Sequence, residues 1–465
     1  MKKKLEKNMG MLDVLSLAIG AIIGWGAFVL PGDLFIKETG VVNTFIGMSL
    51  GAMIMIIIEK NYGFLLSKDA VAGGEYAFTF KSFGRGHAII CGWFLSLAYI
   101  CIVPLNATAL ALIAKTMFPG LLEKGLLYSI AGYNIYFAEA MTATVALVVF
   151  AWLNIKGVKM ASTFQTVMTL ALLGIILYMA SFFMTRPEFN MTLMTGHLDV
   201  SKINIGNILR IVAIAPWAYI GFDCIPQVAE EFNFEAKKAS HLAVVSIIAG
   251  LVIYTILNVI TSSVFTQEML LTQKVNWATG DAIELLFGRI GLYSLGLSLL
   301  MAIVAGINGF YMASSRLIFS MARAKAIPAW FEELDDESKT PRNAIIFVML
   351  MSLIAPWMGR RVLLWIVDMS SIGAAIGYLY TSLSAYVQAK KEGNKVIQAT
   401  GVFGGVAGVI FMMLLLLPIF PGSISAPSYV VLIVWSILGV ALYKKYGEGY
   451  RSLDEGHLSY LILGR

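Results

Sequence analysis

Two acidic residues lie inside long apolar runs of this sequence, and acids in that setting are candidates for chemistry. Asp223 lies in IVAIAPWAYIGFDCIPQVAEE (211–231), and Asp368 lies in LWIVDMSSIG (364–373). If these runs cross a bilayer, each carboxyl group costs about 2.5–3.5 kcal/mol to insert, so each predicts a functional role. We expect Asp223 to bind an amine, to relay a proton, or to cap the helical segment that follows it.

A cluster of glycines marks the centre of the first apolar run, Val14–Leu30, in which no residue is charged. The glycines are Gly20, Gly24 and Gly26. Glycine costs about 1 kcal/mol relative to alanine inside a helix, and lipid tolerates non-helical backbone only where protein buries it or it lines a cavity. The stretch therefore predicts a broken spanning helix at a binding site. The alternative is a glycine-rich helix that packs tightly on a neighbour.

The composition is that of a membrane protein. Of 465 residues, 58% are hydrophobic and 13% are charged, and the mean hydropathy is +0.79, whereas soluble domains hold about 25% charged residues. The net charge of +6 does not indicate nucleic acid, because the basic residues follow membrane topology. Cys91, Cys101 and Cys224 lie in apolar stretches, which indicates small buried side chains and neither a disulfide nor a metal site. No cofactor is expected.

Apolar runs bounded by charge, glycine or proline predict twelve spanning helices, numbered here as spans 1 to 12. They cover residues 12–36, 41–66, 86–117, 134–154, 160–184, 206–231, 239–265, 282–322, 343–358, 361–388, 398–419 and 427–445. With the N-terminus inside the cell, the inner segments hold 24 of the 34 lysine and arginine residues. This excess predicts a multi-pass protein of the cell membrane, taken to be a bacterial plasma membrane, with both termini in the cytoplasm.

The sixth span is interrupted, as the first one is. It contains Pro216, Gly221 and Pro226, and Gly221 follows Gly24 by 197 residues, an interval of five spans. Matching interruptions in two five-helix halves of opposite orientation predict an inverted repeat with a site between the halves. The predicted organisation is an N-terminal tail (1–11), a first repeat (12–200), a second repeat (201–390), spans 11 and 12 (391–446) and a C-terminal tail (447–465).

Four segments resemble the amino acid–polyamine–organocation transporter superfamily, in order and on the matching spans. They are Gly24-Trp25-Gly26 with Leu30-Pro31-Gly32, AGGEYAF at 72–78, AYIGFDCI at 218–225 with Glu230-Glu231, and Asn308-Gly309 with SSR at 314–316 and MAR at 321–323. The sixth-span segment is most similar to the cationic amino acid transporter branch. The resemblance implies an all-α membrane fold of two inverted five-helix repeats, LeuT-like, with discontinuous helices 1 and 6. It also implies alternating access and a substrate that is an amino acid or an amine.

An amino acid has two charged ends, and each interrupted span suits one of them. Free N–H groups and the helix dipole at the start of the second half of span 1 attract a carboxylate to Ile23–Gly26. Carbonyl groups that end the first half of span 6 accept hydrogen bonds from an ammonium group. By resemblance, Trp217 is expected to stack over the substrate as a gate, with packing in the bundle as the alternative. The predicted substrate-binding residues are Ile23, Gly24, Trp25, Gly26, Tyr99, Trp217, Ala218, Tyr219, Ile220, Phe222 and Asp223.

Trp25 departs from the family pattern, which has a small residue between the two glycines. Its bulk predicts a smaller pocket, unless the side chain points away, and counts against large cationic substrates. Glu230 and Glu231 are expected at a solvated helix end, with an ion-pair gate to lysine or arginine as the alternative. The predicted gating and coupling residues are Trp217, Asp223 and Asp368.

Two devices that couple relatives of this fold to an ion are missing from the sequence. Some family members carry a lysine in span 5, where Leu172 stands here. Sodium-coupled relatives use hydroxyl groups of span 8, because a hard cation needs oxygen ligands, and VAGINGF at 304–310 has none. This pattern favours exchange, facilitated transport, or proton coupling through Asp223.

The sequence therefore predicts a secondary amino acid permease, and not an enzyme, since it has no H-E-x-x-H, P-loop or nucleophile-elbow motif. An amine or polyamine importer is the alternative, in which Asp223 and Asp368 bind ammonium groups. A channel or a ligand sensor is a further class. The expected partners are a small-molecule substrate, the lipid bilayer, and a proton or counter-substrate, with no nucleic acid.

Overall fold

The computed structural model describes residues 4–118, 120–130, 133–196, 199–272, 275, 277–358, 360–420 and 423–464. Most of these residues are helical. The helices are α1 (Met11–Ile22), α2 (Trp25–Leu30), α3 (Val41–Leu66), α4 (Gly74–Phe83), α5 (Arg85–Met117), α6 (Phe137–Lys156), α7 (Val158–Phe182), α8 (Met191–Gly196), α9 (Ile205–Ala218), α10 (Cys224–Gln227), α11 (Ala239–Ser262), α12 (Gln267–Thr272), α13 (Ala278–Arg323), α14 (Arg342–Ser352), α15 (Arg360–Glu392), α16 (Lys395–Leu416), α17 (Ala426–Tyr446), α18 (Glu448–Ser452) and α19 (Glu455–Leu463). Helix α2 continues into a π-helical segment, Pro31–Thr39.

Eight helices of the described residues are long and apolar enough to cross a membrane, and they correspond to α3, α5, α6, α7, α11, α13, α16 and α17. Helix α1 and the continuous helix Trp25–Thr39 pass the same test together as one more span, bent by 44° at the break between them. The shorter apolar helices α9 and Arg342–Trp357 and the 33-residue α15 fall on predicted spans 6, 9 and 10. A multi-pass helical membrane protein is confirmed, and the number twelve stays a prediction.

The outer surface of the bundle is apolar, as a lipid-facing surface must be. Helix α17 exposes Val430, Ile433, Val434 and Ile437, each by more than half of its surface. Polar residues such as Asn308 are fully buried instead. This distribution is the reverse of that in a soluble domain, where charged and polar side chains cover the outside.

Helix α13 exceeds the predicted eighth span and is kinked near its start. Gly288 within it has φ 69° and ψ −170°, which are not helical angles, and glycine adopts a positive φ readily because it has no Cβ. The long helix is thus divided at a kink. Every residue from 302 to 324 is buried, so the later part of α13 is the central helix of the bundle.

The glycines of the first apolar run have different roles. A Cβ on Gly20 would lie 2.8 Å from Thr169 Oγ1 and 2.9 Å from Ala305 Cβ, so α1 closely approaches α7 and α13 there. A Cβ on Gly24 would meet only Asn106 Oδ1, at 3.6 Å. Both sequence interpretations are therefore correct, tight packing at Gly20 and a helix break at Gly24.

A short antiparallel hairpin lies between α5 and α6. Its strands are β1 (Leu126–Ile130) and β2 (Tyr133–Tyr136), and Leu126 pairs with Tyr136. Each residue of β1 is exposed, so the hairpin contributes no core. The bundle agrees with the predicted all-α class, and the hairpin is an addition in a connection that the sequence analysis did not predict.

Candidate functional site

The first element of the site is the break between α1 and α2. Helix α1 ends at Ile22, and α2 begins at Trp25 with Gly24 as its N-cap, at φ −87° and ψ −169°. Gly24 makes no side-chain capping bond to the first turn. The Ala27 nitrogen donates to the Gly24 carbonyl at 3.3 Å, and a helix start leaves its other first N–H groups without intrahelical partners. These donors, with the positive end of the helix dipole, make the start of α2 suited to an anion.

The second element is the break between α9 and α10. Helix α9 ends at Ala218, and α10 begins at Cys224. Between them, Gly221 has φ +135°, and a Cβ there would lie 2.8 Å from both Ala21 Cβ and the Ile22 nitrogen. Only glycine fits this position without strain or overlap. The two breaks are therefore in direct contact.

A small cavity lies where the two breaks meet. Its volume is about 30 Å³, which is room for a water molecule and not for an amino acid. Five predicted substrate-binding residues line it, namely Gly24, Trp25, Gly26, Trp217 and Ile220. The other lining residues are Ala21, Ile22, Ile102, Leu105, Asn106, Tyr254 and Phe310. No residue of this lining is charged, so it offers a ligand backbone groups, aromatic rings and neutral polar atoms.

Two tryptophan side chains form one wall of the cavity. A Cβ on Gly26 would lie 2.6 Å from Trp217 Cη2, so the Trp217 ring covers the start of α2. The rings of Trp217 and Trp25 meet edge to face with 6.2 Å between their centroids. An occupant larger than the cavity must displace part of its lining, in which Trp25 and Trp217 are the largest side chains.

Two buried polar atoms at this cavity have no hydrogen-bond partner among the described residues. They are Trp25 Nε1, a donor, and Asn106 Oδ1, an acceptor. Asn106 is only 3% exposed, and its Nδ2 donates to the Ile102 carbonyl at 3.1 Å, which fixes the amide. An unpaired buried group costs about 1–3 kcal/mol, so such groups are rare. A molecule that has both a donor and an acceptor would satisfy these two groups.

Sequence reasoning missed Asn106, and it included six residues that do not line the cavity. The available signal for Asn106 is an amide in the apolar run ICIVPLNA (100–107). The six residues outside the lining are Ile23, Tyr99, Ala218, Tyr219, Phe222 and Asp223. Two of them have other partners: Tyr219 Oη donates to the Met48 carbonyl at 3.0 Å, and Phe222 stacks on Tyr378 at 5.7 Å.

Asp223 is fully buried beside the second break. Its Oδ1 accepts the Gly221 N–H at 2.7 Å, and its Oδ2 accepts the Tyr99 hydroxyl at 3.0 Å. Asp223 precedes α10 but makes no capping hydrogen bond to that helix. The capping interpretation is therefore wrong, because the carboxyl group holds the backbone of the break instead.

Asp368 contacts a different part of the bundle from the breaks. Its Oδ2 accepts hydrogen bonds from the Ser425 nitrogen at 3.1 Å and from Ser428 Oγ at 2.5 Å. Ser425 is the N-cap of α17, and a negative charge stabilises a helix at that end. The contacts of Asp368 thus join α15 to α17, and Asp368 does not line the cavity between the breaks.

Four charged residues form a second polar group, here named the terminal ion-pair cluster (Glu230, Glu231, Arg316 and Arg323). Arg316 Nε donates to Glu231 Oε1 at 2.7 Å, and both side chains are at most 1% exposed. Arg323 Nη1 donates to Glu230 Oε2 at 2.8 Å. The expectation of a solvated helix end is wrong, and the ion-pair alternative is correct. The partners are 85 and 93 residues apart in sequence, so only the fold could pair them.

The N-terminal segment packs against this cluster. The Met9 nitrogen donates to the Glu231 carbonyl at 3.0 Å, and the Asn233 nitrogen donates to the Met9 carbonyl at 3.0 Å. The Leu5 nitrogen donates to Glu230 Oε1 at 3.2 Å. Met9 is fully buried. Leu5 and Met9 are thus fixed to the segment that follows α10.

The junction of α1, α7 and α13 is filled by neutral polar groups. Gln165 Nε2 and Thr169 Oγ1 donate to the Ser16 carbonyl, at 3.3 and 3.0 Å. Gln165 Oε1 accepts from Asn308 Nδ2 at 2.9 Å. Leu172, at the position where some family members carry a lysine, is fully buried. In the part of the chain that the structure describes, no group of three or more His, Cys, Asp or Glu residues could hold a metal ion.

An apolar bundle with two broken helices and a cavity between them is typical of a membrane transporter. The sequence model of the amino acid permease family matches residues 9–442. The chain therefore belongs to the amino acid permease family, as the resemblance of its four segments implied. It is a secondary transporter of amino acids.

Curated relatives cover nearly the whole chain at low identity. The branched-chain amino acid permease BcaP of Bacillus subtilis (strain 168) is 24% identical over 98% of this chain and 96% of its own length. The methylthioribose transporter of the same organism is 23% identical over 97% of this chain and 96% of its own length. The serine/threonine exchanger SteT, also of Bacillus subtilis (strain 168), is 23% identical over 75% of this chain and 76% of its own length. These relatives are named as transporters and not as enzymes.

Proposed function

We propose that this permease transports a small amino acid with an uncharged side chain, and that the substrate binds between the two helix breaks. The observation that supports this most is the cavity lining, which has an unpaired donor, an unpaired acceptor and no charged residue. An amino acid zwitterion supplies both missing partners. The cavity of about 30 Å³ is then a closed form that must expand to admit it.

The substrate carboxylate binds at the start of α2. The first N–H groups of that helix need acceptors, and Gly24 and Gly26 have no side chains of their own to block them. In this structure the Trp217 ring covers the approach, so it must move when the substrate binds. Trp25 Nε1 adds an indole donor at the same wall. Together these groups bind a carboxylate without lysine or arginine, in agreement with the uncharged lining.

The substrate ammonium group binds on the side of Asn106 and the second break. Asn106 Oδ1 is an acceptor with no partner among the described residues. The carbonyl groups that end α9 are the other acceptors. Those of Pro216 and Trp217 already accept long hydrogen bonds, from Tyr378 Oη at 3.5 Å and from the Ile220 nitrogen at 3.4 Å, and a carbonyl oxygen has a second lone pair. An ammonium group has three hydrogens to donate, so it can bind Asn106 and the α9 carbonyls together.

An amine or polyamine substrate is less favoured by this geometry. Asp223 and Asp368 are the acids that an amine would need, and neither lines the cavity. Trp25 and Phe310 narrow the space for a long side chain. The names of BcaP and SteT give branched-chain residues and serine or threonine as substrates, and these side chains are uncharged. The methylthioribose transporter extends the candidates to an uncharged compound that is not an amino acid.

Alternating access requires a barrier on each side of the site. On one side Trp217 is the moving barrier, because its ring covers the start of α2. On the other side the barrier is the terminal ion-pair cluster, whose pairs join the end of α13 to the segment after α10. Opening to that side must separate α13 from that segment.

The topology proposed for this alternating-access transporter has twelve spans. The repeats are 12–200 and 201–390, the tails are 1–11 and 447–465, and two further helices lie at 391–446. Contact between Gly221 and Ala21 supports an inverted repeat, since it brings together the interrupted helices of the two halves. The lysine and arginine excess supports a cytoplasmic position of both termini in a bacterial plasma membrane. The terminal ion-pair cluster then faces the cytoplasm.

Coupling by a counter-substrate or a proton is proposed in preference to sodium. Gln165 Nε2 and Thr169 Oγ1 both already donate hydrogen bonds to the Ser16 carbonyl in span 1. A carbonyl that is paired in this way is not free to bind a cation. SteT is named as an exchanger, which agrees with antiport as one of the two modes.

The test is uptake into proteoliposomes that contain the purified protein. Radiolabelled leucine and serine are offered with internal unlabelled substrate, with a pH gradient, or with a sodium gradient. Arginine, putrescine and methylthioribose are added as competitors. We expect counterflow of a neutral amino acid that does not need sodium and that other neutral amino acids inhibit.

Three results would contradict the proposal. Inhibition by putrescine as strong as by the parent amino acid would show that no carboxylate is required and would favour an amine importer. Ion conductance without counterflow would identify a channel. Binding of the labelled substrate without counterflow would identify a sensor.

A further inference from the structure

A buried chain of hydrogen bonds connects Asp223 to a second acid, Glu75, which the proposed substrate site does not use. Tyr99 Oη lies 3.0 Å from Asp223 Oδ2, 3.1 Å from the Asp223 carbonyl and 3.5 Å from Glu75 Oε1. All three residues are fully buried. Glu75 Oε2 also accepts a short hydrogen bond from Gln227 Nε2. The chain of contacts therefore runs from α4 through α5 to both ends of α10.

Neither carboxyl group has a cationic partner among the described residues. The titratable side chains close enough to interact with one or both acids are Tyr62, Tyr99, Tyr378, Cys91 and Cys224. Phenols and thiols carry no charge at neutral pH. Two carboxylates that share such an environment lose hydration and repel each other, with nothing of opposite sign to offset the cost.

Gln227 provides a second and independent observation. It is fully buried, and its Oε1 has no hydrogen-bond partner among the described residues. Its Nε2 meets Glu75, so the unpaired acceptor lies next to that carboxyl group. Because Glu75 Oε2 accepts from Gln227, the oxygen of Glu75 that can carry a hydrogen is Oε1, which lies beside Tyr99.

We propose that Glu75, Tyr99 and Asp223 form a proton-binding site that couples substrate transport to a pH gradient. One proton is shared by the two acids. The hydrogen of Glu75 Oε1 passes to Tyr99 Oη as the Tyr99 hydroxyl hydrogen passes to Asp223 Oδ2. Glu75 then carries the negative charge, Asp223 is neutral, Tyr99 is unchanged, and no other reactant is needed.

The position of Asp223 explains how a proton affects the substrate site. Asp223 Oδ1 accepts the Gly221 N–H at 2.7 Å, and Ile220, the preceding residue, lines the cavity. A hydrogen bond to a carboxylate is about twice as strong as one to a neutral group. Protonation of Asp223 therefore weakens the bond that holds the second break, next to the cavity. This inference rests on the proposed function, and it names the proton as the coupling ion.

The experiment compares two transport modes in proteoliposomes with radiolabelled leucine and serine. Accumulation driven by a pH gradient needs the proton site, whereas counterflow with internal substrate exchanges substrate without net proton movement. We expect Glu75→Gln to lose gradient-driven accumulation and to retain counterflow. Tyr99→Phe keeps both acids but removes the bridge, so it slows accumulation and also retains counterflow. Glu59→Gln is the matched control, because Glu59 is a 1% exposed acid on α3 and should retain both modes.

A second readout does not depend on the substrate. Infrared difference spectra of the reconstituted protein between acid and alkaline pH report hydrogen-bearing carboxyl groups. We expect a carboxyl band in the wild type that Glu75→Gln and Asp223→Asn both alter, since the two acids share one proton, and that Glu59→Gln leaves in place. If the wild type shows no leucine or serine counterflow, the proposed function fails, and this band still decides the proton site.

Three outcomes would overturn the inference. One is gradient-driven accumulation that survives in Glu75→Gln. Another is loss of both transport modes in a Glu75→Gln protein that purifies as a single symmetric species, which would make Glu75 a structural residue. The third is accumulation in the wild type that follows a sodium gradient and ignores the pH gradient.

Discussion

The cavity between the breaks and the terminal ion-pair cluster show opposite uses of polar groups inside one bundle. At the cavity no lining residue is charged, and Trp25 Nε1 and Asn106 Oδ1 lack partners among the described residues. In the cluster, Arg316 and Glu231 are charged, almost fully buried and directly paired. The proposed substrate would supply the hydrogen bonds that are missing at the cavity, whereas Arg316 and Glu231 supply them to each other.

The contrast has a simple physical origin. A binding group must be unpaired in the free protein, so a neutral group is suitable there, because leaving it unpaired costs about 1–3 kcal/mol. An unpaired buried charge costs far more. Charges are therefore expected where two elements must be held together, and neutral donors and acceptors where a substrate must be received.

The largest effect is expected from Gly221→Ala, which tests the contact between the two breaks. The positive φ adds about 1–3 kcal/mol of backbone strain, and overlap with Ala21 and Ile22 adds about 1–3 kcal/mol. We expect a lower thermal unfolding midpoint and no counterflow. Gly174→Ala is the control, because a Cβ on Gly174 meets nothing within 4 Å, and its helix should be stabilised. Normal transport by Gly221→Ala would show that the contact between the two breaks is not needed for substrate binding.

The next effect is expected from Arg316→Met, which leaves Glu231 as an unpaired buried charge. Loss of one partner from a buried pair costs about 3–5 kcal/mol, measured as a lower midpoint in thermal or denaturant unfolding. The double variant Arg316→Met, Glu231→Leu should recover most of that loss, because both charges are gone. Arg289→Met on the same helix is exposed and should change the free energy of unfolding by less than about 0.5 kcal/mol. If Arg316→Met were as stable as Arg289→Met, the pairing of Arg316 with Glu231 would be contradicted.

Asn106→Leu should separate binding from stability. A hydrogen bond to a charged group contributes about 1.5–3 kcal/mol, so the apparent substrate affinity should fall about 10- to 100-fold. The unfolding midpoint should fall only slightly, since Asn106 Oδ1 has no partner to lose among the described residues and the bond of Nδ2 to the Ile102 carbonyl is a neutral one that contributes about 0.5–1.5 kcal/mol. Asn258→Leu is matched to it, because Asn258 Oδ1 is also unpaired but lies at another cavity. A change in affinity for Asn258→Leu, and none for Asn106→Leu, would reverse the assignment.

The smallest effect is expected from Trp25→Phe, which removes one indole N–H and keeps an aromatic ring. A neutral hydrogen bond contributes about 0.5–1.5 kcal/mol, so affinity should fall by a few-fold and stability should hold. Trp277→Phe is the counterpart, because Trp277 Nε1 donates to the Phe28 carbonyl at 2.9 Å, and its loss should lower the unfolding midpoint instead. If Trp25→Phe lowers only the midpoint, Trp25 is a packing residue.

Part of the site could be predicted because membranes restrict what a sequence can contain. Glycines at 24, 26 and 221 and an acid at 223 stand out against apolar runs, since lipid penalises both free backbone and charge. Gly24, Trp25, Gly26, Trp217 and Ile220 accordingly line the cavity. Asn106 was missed because one amide in an apolar helix gives no indication of the direction that it faces.

The sequence by itself determined that the chain spans the membrane, where its first and sixth spans break, and which glycines permit the breaks. These properties depend on local composition and on what lipid excludes. Only the tertiary structure decided the partners: Arg316 with Glu231, Asp368 with Ser425, and Glu75 with Asp223 through Tyr99. Such pairs join residues far apart in the chain, and hydrogen bonds depend on distances of a few tenths of an ångström. Residue types and spacing along one chain do not contain that information.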